Sequence, residues 1–172
     1  MGGVLVNPSA ELLSALRRDE ELRLVAYDDA TGKPWQPGEA LLGKLTLGYG
    51  RNLSDLYPHY EAADWLSYPH LLVCTQDQAE QWLLEAATKA CTELHDALPW
   101  TSTLDAPRLE VLQNMTYNMG LGGLLKFHNT LTHVQRGQFF IASQDMEESL
   151  WDKQTKERAA RLVAQMRTGT RH

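Results

Sequence analysis

Basic charge, cysteine and long apolar runs are all scarce in this chain, and each scarcity removes a class of function. Its 16 Lys and Arg against 22 Asp and Glu leave a formal net charge of −6 over 172 residues, the wrong sign for a nucleic-acid partner. The two cysteines, Cys74 and Cys91, form neither a disulfide framework nor a zinc spacing and read as reduced thiols of a protein made in the cytosol. No apolar stretch reaches membrane-spanning length, so stable membrane insertion is not expected. Residues Met1 to Ala10 hold no basic residue and only a short apolar run, which does not read as a signal peptide. Val6 also breaks the myristoylation pattern after Gly2. His59, His70, His95, His128, His133 and His172 are scattered without H-x-x-H or H-E-x-x-H spacing, so no metal site is expected. Serine-hydrolase motifs, phosphate-loop motifs, internal repeats and low-complexity linkers are missing too, and no cofactor is expected.

What is present is an ordinary globular composition, 43% hydrophobic and 22% charged, enough for a real core. The length suits one domain over residues 1–172, or two small lobes sharing a helix. Charge is uneven: residues 1–100 hold 7 Lys and Arg against 15 Asp and Glu, and residues 101–172 hold 9 against 7. Lys153, Lys156, Arg158, Arg161, Arg167 and Arg171 concentrate the positive charge near the C-terminus. They either steer an anionic polymer or form solvated helix faces.

Ser9 caps a helix whose stripe is Leu12, Leu13 and Leu16, and which runs out near Asp19 or Glu20. A carboxylate at a helix C-terminus meets the negative end of the dipole, which favours its protonated form. Leu22 to Tyr27 reads as a short strand, Asp28 to Gly32 as a turn, Lys33 to Gly43 as an irregular loop, and Lys44 to Tyr49 as a second strand. Residues 54–74, rich in proline and aromatics, read as short helical turns. Thr75-x-x-Gln78 is a capping box opening a helix through about Leu98, which Pro99 ends. Everything after Thr101 reads helical, with Leu104 to Met119 apolar on more than one face and broken at Gly120. Shorter helices follow over Leu124 to Phe127, Thr130 to Gln135, Phe139 to Leu150 and Thr155 to Thr168.

The stretch Arg17 to Gly50 holds the candidate carboxylates. Asp19-Glu20-Glu21 sits at a predicted helix end, Asp28-Asp29 follows at a turn, and Thr46 opens T-x-G-x-G. Glycoside hydrolysis needs two carboxyl groups facing each other across a bond, one protonated and one ionised. Surface acidic clusters of no catalytic role are the ordinary alternative.

R-x-D-E-x-L-R-L-x-x-Y-x-D followed by T-x-G-x-G resembles the phage-type lysozymes, or bacteriophage endolysins, with the T-even phage enzymes nearest. N-M-x-x-N-M-G at Asn114 to Gly120, W-x-x-Q-T-x-x-R-A-x-R at Trp151 to Arg161 and R-T-G-T at Arg167 to Thr170 continue the resemblance in order. It implies an α+β, mainly helical, lysozyme-like fold of two lobes: a small β-containing lobe over about 21–74, a connecting helix over about 75–98, and a helical lobe over about 99–172 joined by the N-terminal helix 9–20. It implies Glu20 as general acid, Asp29 and Thr46 as holders of the attacking water, and Arg158 as the partner of Glu20, with Asp28 as the fallback base. Trp35, Gly48, Asn118 and Trp151 are candidate substrate contacts.

The implied activity is hydrolysis of the β-1,4 bond between N-acetylmuramic acid and N-acetylglucosamine in peptidoglycan glycan strands, with inversion and host lysis. A lytic transglycosylase and a non-catalytic glycan-binding lysozyme-like protein are the alternatives. A monomer is expected, made in the host cytoplasm and acting in the periplasm after a separate holin permeabilises the membrane. Three features depart from the family pattern: the longer 33–43 connection, Glu21 where glycine is usual, and an end at His172 soon after R-T-G-T.

Overall fold

The computed structural model describes residues 5–60, 64–149 and 156–172. It is mainly helical with one small antiparallel sheet, the α+β class expected. The chain divides into two compact units. One is Leu13–Glu85; the other joins the segment ending at Leu12 to Ala86–His172.

Helix α1 (Ala10–Asp19) enters the Leu13–Glu85 unit and is followed by strands β1 (Arg23–Asp28), β2 (Lys33–Pro34), β3 (Leu45–Gly48) and β4 (Arg51–Asn52). The sheet order is β2-β1-β3-β4. Opposed residues of antiparallel strands share a face. The pairings Tyr27↔Thr46 and Thr46↔Asn52 therefore lay Tyr27, Thr46 and Asn52 in a row on one face. The alternate residues Ala26, Leu45 and Leu47 bury into a core with Trp35, Leu53, Trp65 and Leu72. The short helix α2 (Leu53–Leu56) and two 3-10 turns, Asp64–Leu66 and Pro69–Leu72, close this core. They bring Tyr57, Tyr60, Trp65 and Tyr68 into edge and tilted ring contacts at centroid distances of 5.2–5.9 Å.

The predicted strand from Leu22 is irregular at its start. The register shifts between Arg23 and Tyr27, leaving Leu24 and Val25 exposed. Their backbone is used nonetheless: Leu24 O accepts the Cys74 N–H, and Val25 bridges Val73. The predicted loop 33–43 is also partly a strand. Its first two residues pair with β1, and the Trp35 N–H donates to Ala26 O at 3.0 Å.

Helix α3 (Gln76–Ala97) opens on the expected box: Thr75 N–H donates to Gln78 Oε1 at 2.8 Å, and Gln78 N–H to Thr75 Oγ1 at 3.2 Å. Two orphan donors are satisfied reciprocally. In the second unit, α4 (Ala106–Leu124) is capped by Asp105 and buries every residue from Glu110 to Thr116. The predicted break is a kink at Gly120 (φ 72°), after which the helix resumes to Leu124; the expected Leu124–Phe127 helix is its last turn and exit. Helices α5 (His128–Gln135), α6 (Phe139–Glu148) and α7 (Lys156–Thr168) complete the unit. Val111, Leu112, Met115, Leu131, Val134, Met146, Leu162 and Met166 form its core.

Arginines of the terminal motif turn out to be structural. Ser9 Oγ accepts the Leu12 N–H, as a cap should, and donates to Glu110 Oε1 at 2.8 Å. The buried Glu110 carboxylate also accepts two hydrogen bonds from Arg171, both at 2.9 Å. Arg108 lies 3.9 Å over the Phe139 ring and donates to Met166 O and Arg167 O. This supplies donors to the last carbonyls of α7, and Gly169 leaves room for it, since a Cβ there would stand 2.5 Å from Arg108 Nη1. Arg167 pairs with Glu147 and Arg158 is buried. Three of the six basic residues are thus not free surface charge, since Arg158 is buried and Arg167 and Arg171 are paired; Lys156 is exposed, and Lys153 lies outside the described residues.

Trp35 generates a direct test of the packing. At 4% exposure, with its indole N–H on Glu39 O at 3.2 Å, it is a core residue of the Leu13–Glu85 unit. Trp35→Ala should therefore cost about 3–5 kcal/mol, read as a lower denaturant midpoint at unchanged m value. A solvent-exposed sugar platform would give no such loss.

Candidate active site

Glu20 stands where α1 ends: its backbone N–H closes the last helical turn on Leu16 O at 2.9 Å. Two turns of sequence produce that position. Leu12 and Leu16 bury the helix, and one turn before Glu20 the Arg17 guanidinium holds Glu80 of α3 through Nε at 3.1 and 2.8 Å and Nη2 at 2.8 Å. Tyr49, between the two glycines of T-x-G-x-G, donates its hydroxyl to Glu80 Oε1 at 2.8 Å. The end of α1 and the β3–β4 turn are thus fastened to one residue of α3. The arginine, the dominant cause, and the Tyr49 hydroxyl hold the Glu80 carboxyl below its usual range against the opposing cost of burial.

The two glycines do different work. Gly48 has φ +65°, and a Cβ would come within 3.3 Å of Ala79 and 3.4 Å of Trp82 on α3. The close approach expected there is to a helix, which accounts for Gly48 without a substrate. Gly50 (φ +78°) lies beside the acid: a Cβ there would sit 3.6 Å from Glu20 Oε2.

Asp28 and Asp29 separate cleanly. Asp28 is 4% exposed, and its two carboxylate oxygens accept three backbone N–H groups: Ala30 and Gly43 on Oδ1, both at 2.9 Å, and Leu42 on Oδ2 at 2.7 Å. These bonds, Leu42's foremost, hold its carboxyl below the usual aspartate range although burial acts the other way. Asp29 is exposed. Its Oδ1 accepts the Lys44 N–H at 2.6 Å, and its own N–H donates to Lys44 O at 3.0 Å. The fallback aspartate is therefore a clamp, and the exposed neighbour retains a carboxylate oxygen for other work.

Thr46 is 5% exposed and its hydroxyl donates to Lys44 O at 3.2 Å, which leaves acceptor capacity on the oxygen. It lies opposite Tyr27, whose phenol gathers the remaining charges. Burial pushes this phenol up most, the Arg23 guanidinium 4.4 Å from the ring centre pulls it down, and Glu20, Asp29 and Glu21 push it up again. One tyrosine thus feels the candidate acid and the candidate base while its strand partner is the candidate threonine. Glu21 is exposed and held by Arg23 at 2.6 and 3.0 Å, so its charge is answered locally.

Trp35 is in the core, a correction to its expected place on a sugar face. Asn118 is exposed on α4 and Arg158, 7% exposed, is on α7; both belong to the other unit. Trp151 lies outside the described residues. Among the described residues no group of three or more His, Cys, Asp or Glu is placed to hold a metal. Sequence reasoning gave no role to Tyr27, although it stands in R-x-D-E-x-L-R-L-x-x-Y-x-D, and missed Glu80 and Gly43 because they lie outside the quoted motifs and act through residues distant in sequence.

Comparison with known proteins finds the family model described as Phage lysozyme matching residues 17–168. The chain is 29% identical over 167 residues to the "Pre-baseplate central spike protein Gp5" of Enterobacteria phage T4, covering 95% of this chain and 28% of that protein. It is 28% identical over 102 residues to "Probable T4-type lysozyme 1" of Dictyostelium discoideum, covering 57% of this chain and 59% of the relative. A second protein of that organism, "Probable T4-type lysozyme 2", is 30% identical over 69 residues, 40% of this chain and 41% of the relative. Each of these matches covers less than two thirds of the relative's length.

The contrast between the aspartates predicts opposite phenotypes. Asp28→Asn should lower Tm at neutral pH, since an amide cannot accept all three N–H groups. A depressed folded-state pKa contributes stability above the unfolded value, lost as pH falls through the folded one. The Tm gap to wild type should therefore narrow below pH 3.8, the ordinary value. Asp29→Asn, at an exposed site with a single backbone amide bound, should leave Tm nearly unchanged at neutral pH.

Proposed function

This chain belongs to the phage lysozyme family, and from that premise we propose that it is a glycoside hydrolase of the muramidase kind. Its substrate is the β-1,4 bond between N-acetylmuramic acid and N-acetylglucosamine in peptidoglycan strands, and the outcome is lysis of a bacterial host. The observation that supports this most is the grouping around Tyr27: an acid candidate at a helix end, an exposed carboxylate at a strand end, and a threonine opposite on the same sheet.

In the proposed reaction Glu20 donates a proton to the glycosidic oxygen as the bond to the anomeric carbon breaks. Asp29 accepts a proton from a water whose position the Thr46 hydroxyl helps to set. That water attacks the opposite face of the sugar, so the configuration inverts and no covalent intermediate forms. The Lys44 amide on Asp29 Oδ1 fixes one oxygen of the base and leaves the other to meet the water. Glu21, being held by Arg23, takes no part.

Mass spectrometry of digested peptidoglycan tests bond, product and activity together. Hydrolysis yields reducing-end muropeptides, heavier by one water than the 1,6-anhydro ends a transglycosylase leaves; only anhydro ends would overturn the hydrolytic reading, and no release of either would overturn the enzymatic one. Glu20→Gln should abolish product with Tm retained, because the amide cannot donate the proton. Glu21→Gln should keep most activity, and Asp29→Asn should lose at least ~10²-fold in kcat.

A further inference from the structure

The loop 33–43 ends in a set of contacts that the reaction above does not use. Leu42 and Gly43 give their N–H groups to Asp28, and Lys44 gives its own to Asp29 Oδ1 at 2.6 Å. Between them Gly43 is pressed against the base. A Cβ built there would lie 2.1 Å from Asp29 Oδ1, 2.7 Å from Ala30 N and 2.8 Å from Ala30 Cβ. Separations under 3.0 Å cannot stand, so something must shift. Here φ is not in the left-handed region, and space alone requires the glycine. Gly38, in the middle of the same loop, makes the contrast: its φ is +98° and a Cβ would meet nothing within 4 Å.

We propose that the end of this loop, Leu42 to Lys44, is a positioning device for the Asp29 carboxylate, with Gly43 as the residue that permits it. The inference rests on the reading of Asp29 as the general base. Asp28 anchors two amides of the segment, and the anchored segment then offers the next amide to Asp29. One carboxylate oxygen of Asp29 is thereby fixed, and the other accepts no hydrogen bond from the described residues. That second oxygen is the one left to take the proton from water. A base turned by two bonds from a buried clamp holds its direction better than one on a free turn, and misplacement of about 1 Å can cost on the order of 10²-fold in rate.

The test is a cycle on the full chain with soluble peptidoglycan fragments as substrate. Gly43→Ala should lower kcat by at least ~10-fold, within what misplacement accounts for, with KM within about twofold of wild type, the sign of an interaction made in the transition state. In an Asp29→Asn background the same substitution should lower kcat no further, since the group it misplaces is already disabled. Gly38→Ala, strained but touching nothing, should leave kcat unchanged whatever it does to Tm. If Gly43→Ala does not fold, Lys44→Pro deletes the amide while keeping the glycine and should show the same loss that disappears without Asp29. A loss that multiplies with Asp29→Asn, an equal loss in Gly38→Ala, or an unchanged kcat in Gly43→Ala overturns the positioning role and leaves the muramidase reading standing. Full activity of Asp29→Asn overturns the positioning role together with the reading of Asp29 as the base, and leaves glycan hydrolysis itself standing.

Discussion

Everything at the sheet end of the site hangs on one buried carboxylate. Asp28 closes a turn on its own strand through the Ala30 N–H and reaches 14 and 15 residues ahead to Leu42 and Gly43. An uncompensated charge in that position would be costly, so the three amides are what make the burial possible. In turn the buried carboxylate holds the three amides in place, since its own oxygens have little water to turn to. The loop that precedes β3 is thus pinned at its exit, and its entrance is pinned by pairing of Lys33 and Pro34 with β1. Its middle tucks Trp35 into the core. A Pro- and Gly-containing segment that looks loose by composition is held at three points.

The helix end of the site is fixed by a different device, and the magnitudes decide how to read it. Arg17 and Glu80 have side chains 42% and 28% exposed, and an ion pair so wetted contributes only about 0–1 kcal/mol. Its value for the fold is therefore small. What it supplies is direction: two nitrogens of a planar fork on one carboxylate, with Tyr49 as a third donor, admit few geometries. Since Glu20 follows Arg17 by one helical turn and Gly50 follows Tyr49, the triad sets the acid against the backbone of T-x-G-x-G. Stability comes from the leucines of α1, and placement from the charges.

Much of this was legible from the residues. The Ser9 cap, the Thr75–Gln78 box and the α4 stretch buried on all sides follow from side-chain chemistry acting within a few positions, and each has the predicted partners or burial. Reading failed where the partner is far away. Trp35 sits among Pro34, Pro37 and Gly38, a loop signature, and nothing local shows that its N–H will reach Ala26 O. Leu24 and Val25 have strand-core composition yet are exposed, because the register shift takes them off the ladder and gives their backbone to Cys74 and Val73 instead. Arg171 and Arg167 read as steering or solvated charge, since a sequence cannot say that Glu110 lies buried beneath one and Glu147 beside the other. Of the site, the positions of Glu20 and Thr46 at element ends were visible; Gly43 was not, because its neighbour Asp29 is adjacent only through the sheet.

The choice between adjacent aspartates shows why fold and chemistry are inseparable here. A strand sends successive side chains to opposite faces. Ala26 and Asp28 share the core side with Leu45 and Leu47, whereas Tyr27 shares the other with Thr46. At the strand's end this alternation leaves Asp28 turned inward, where only full hydrogen bonding makes an ionised carboxylate tolerable. Asp29 is left turned outward, where it meets solvent and, among the described residues, accepts only the Lys44 N–H. Slipping the register by one would exchange the two environments: the clamp would lose its amides and the free carboxylate would be buried without them. Registers that do so are disfavoured by the same desolvation energy that stabilises the observed one. The pair Asp28-Asp29 therefore contributes to specifying the strand register as well as supplying the candidate base, and a conservative change at the inward member perturbs the outward one through the loop they both hold.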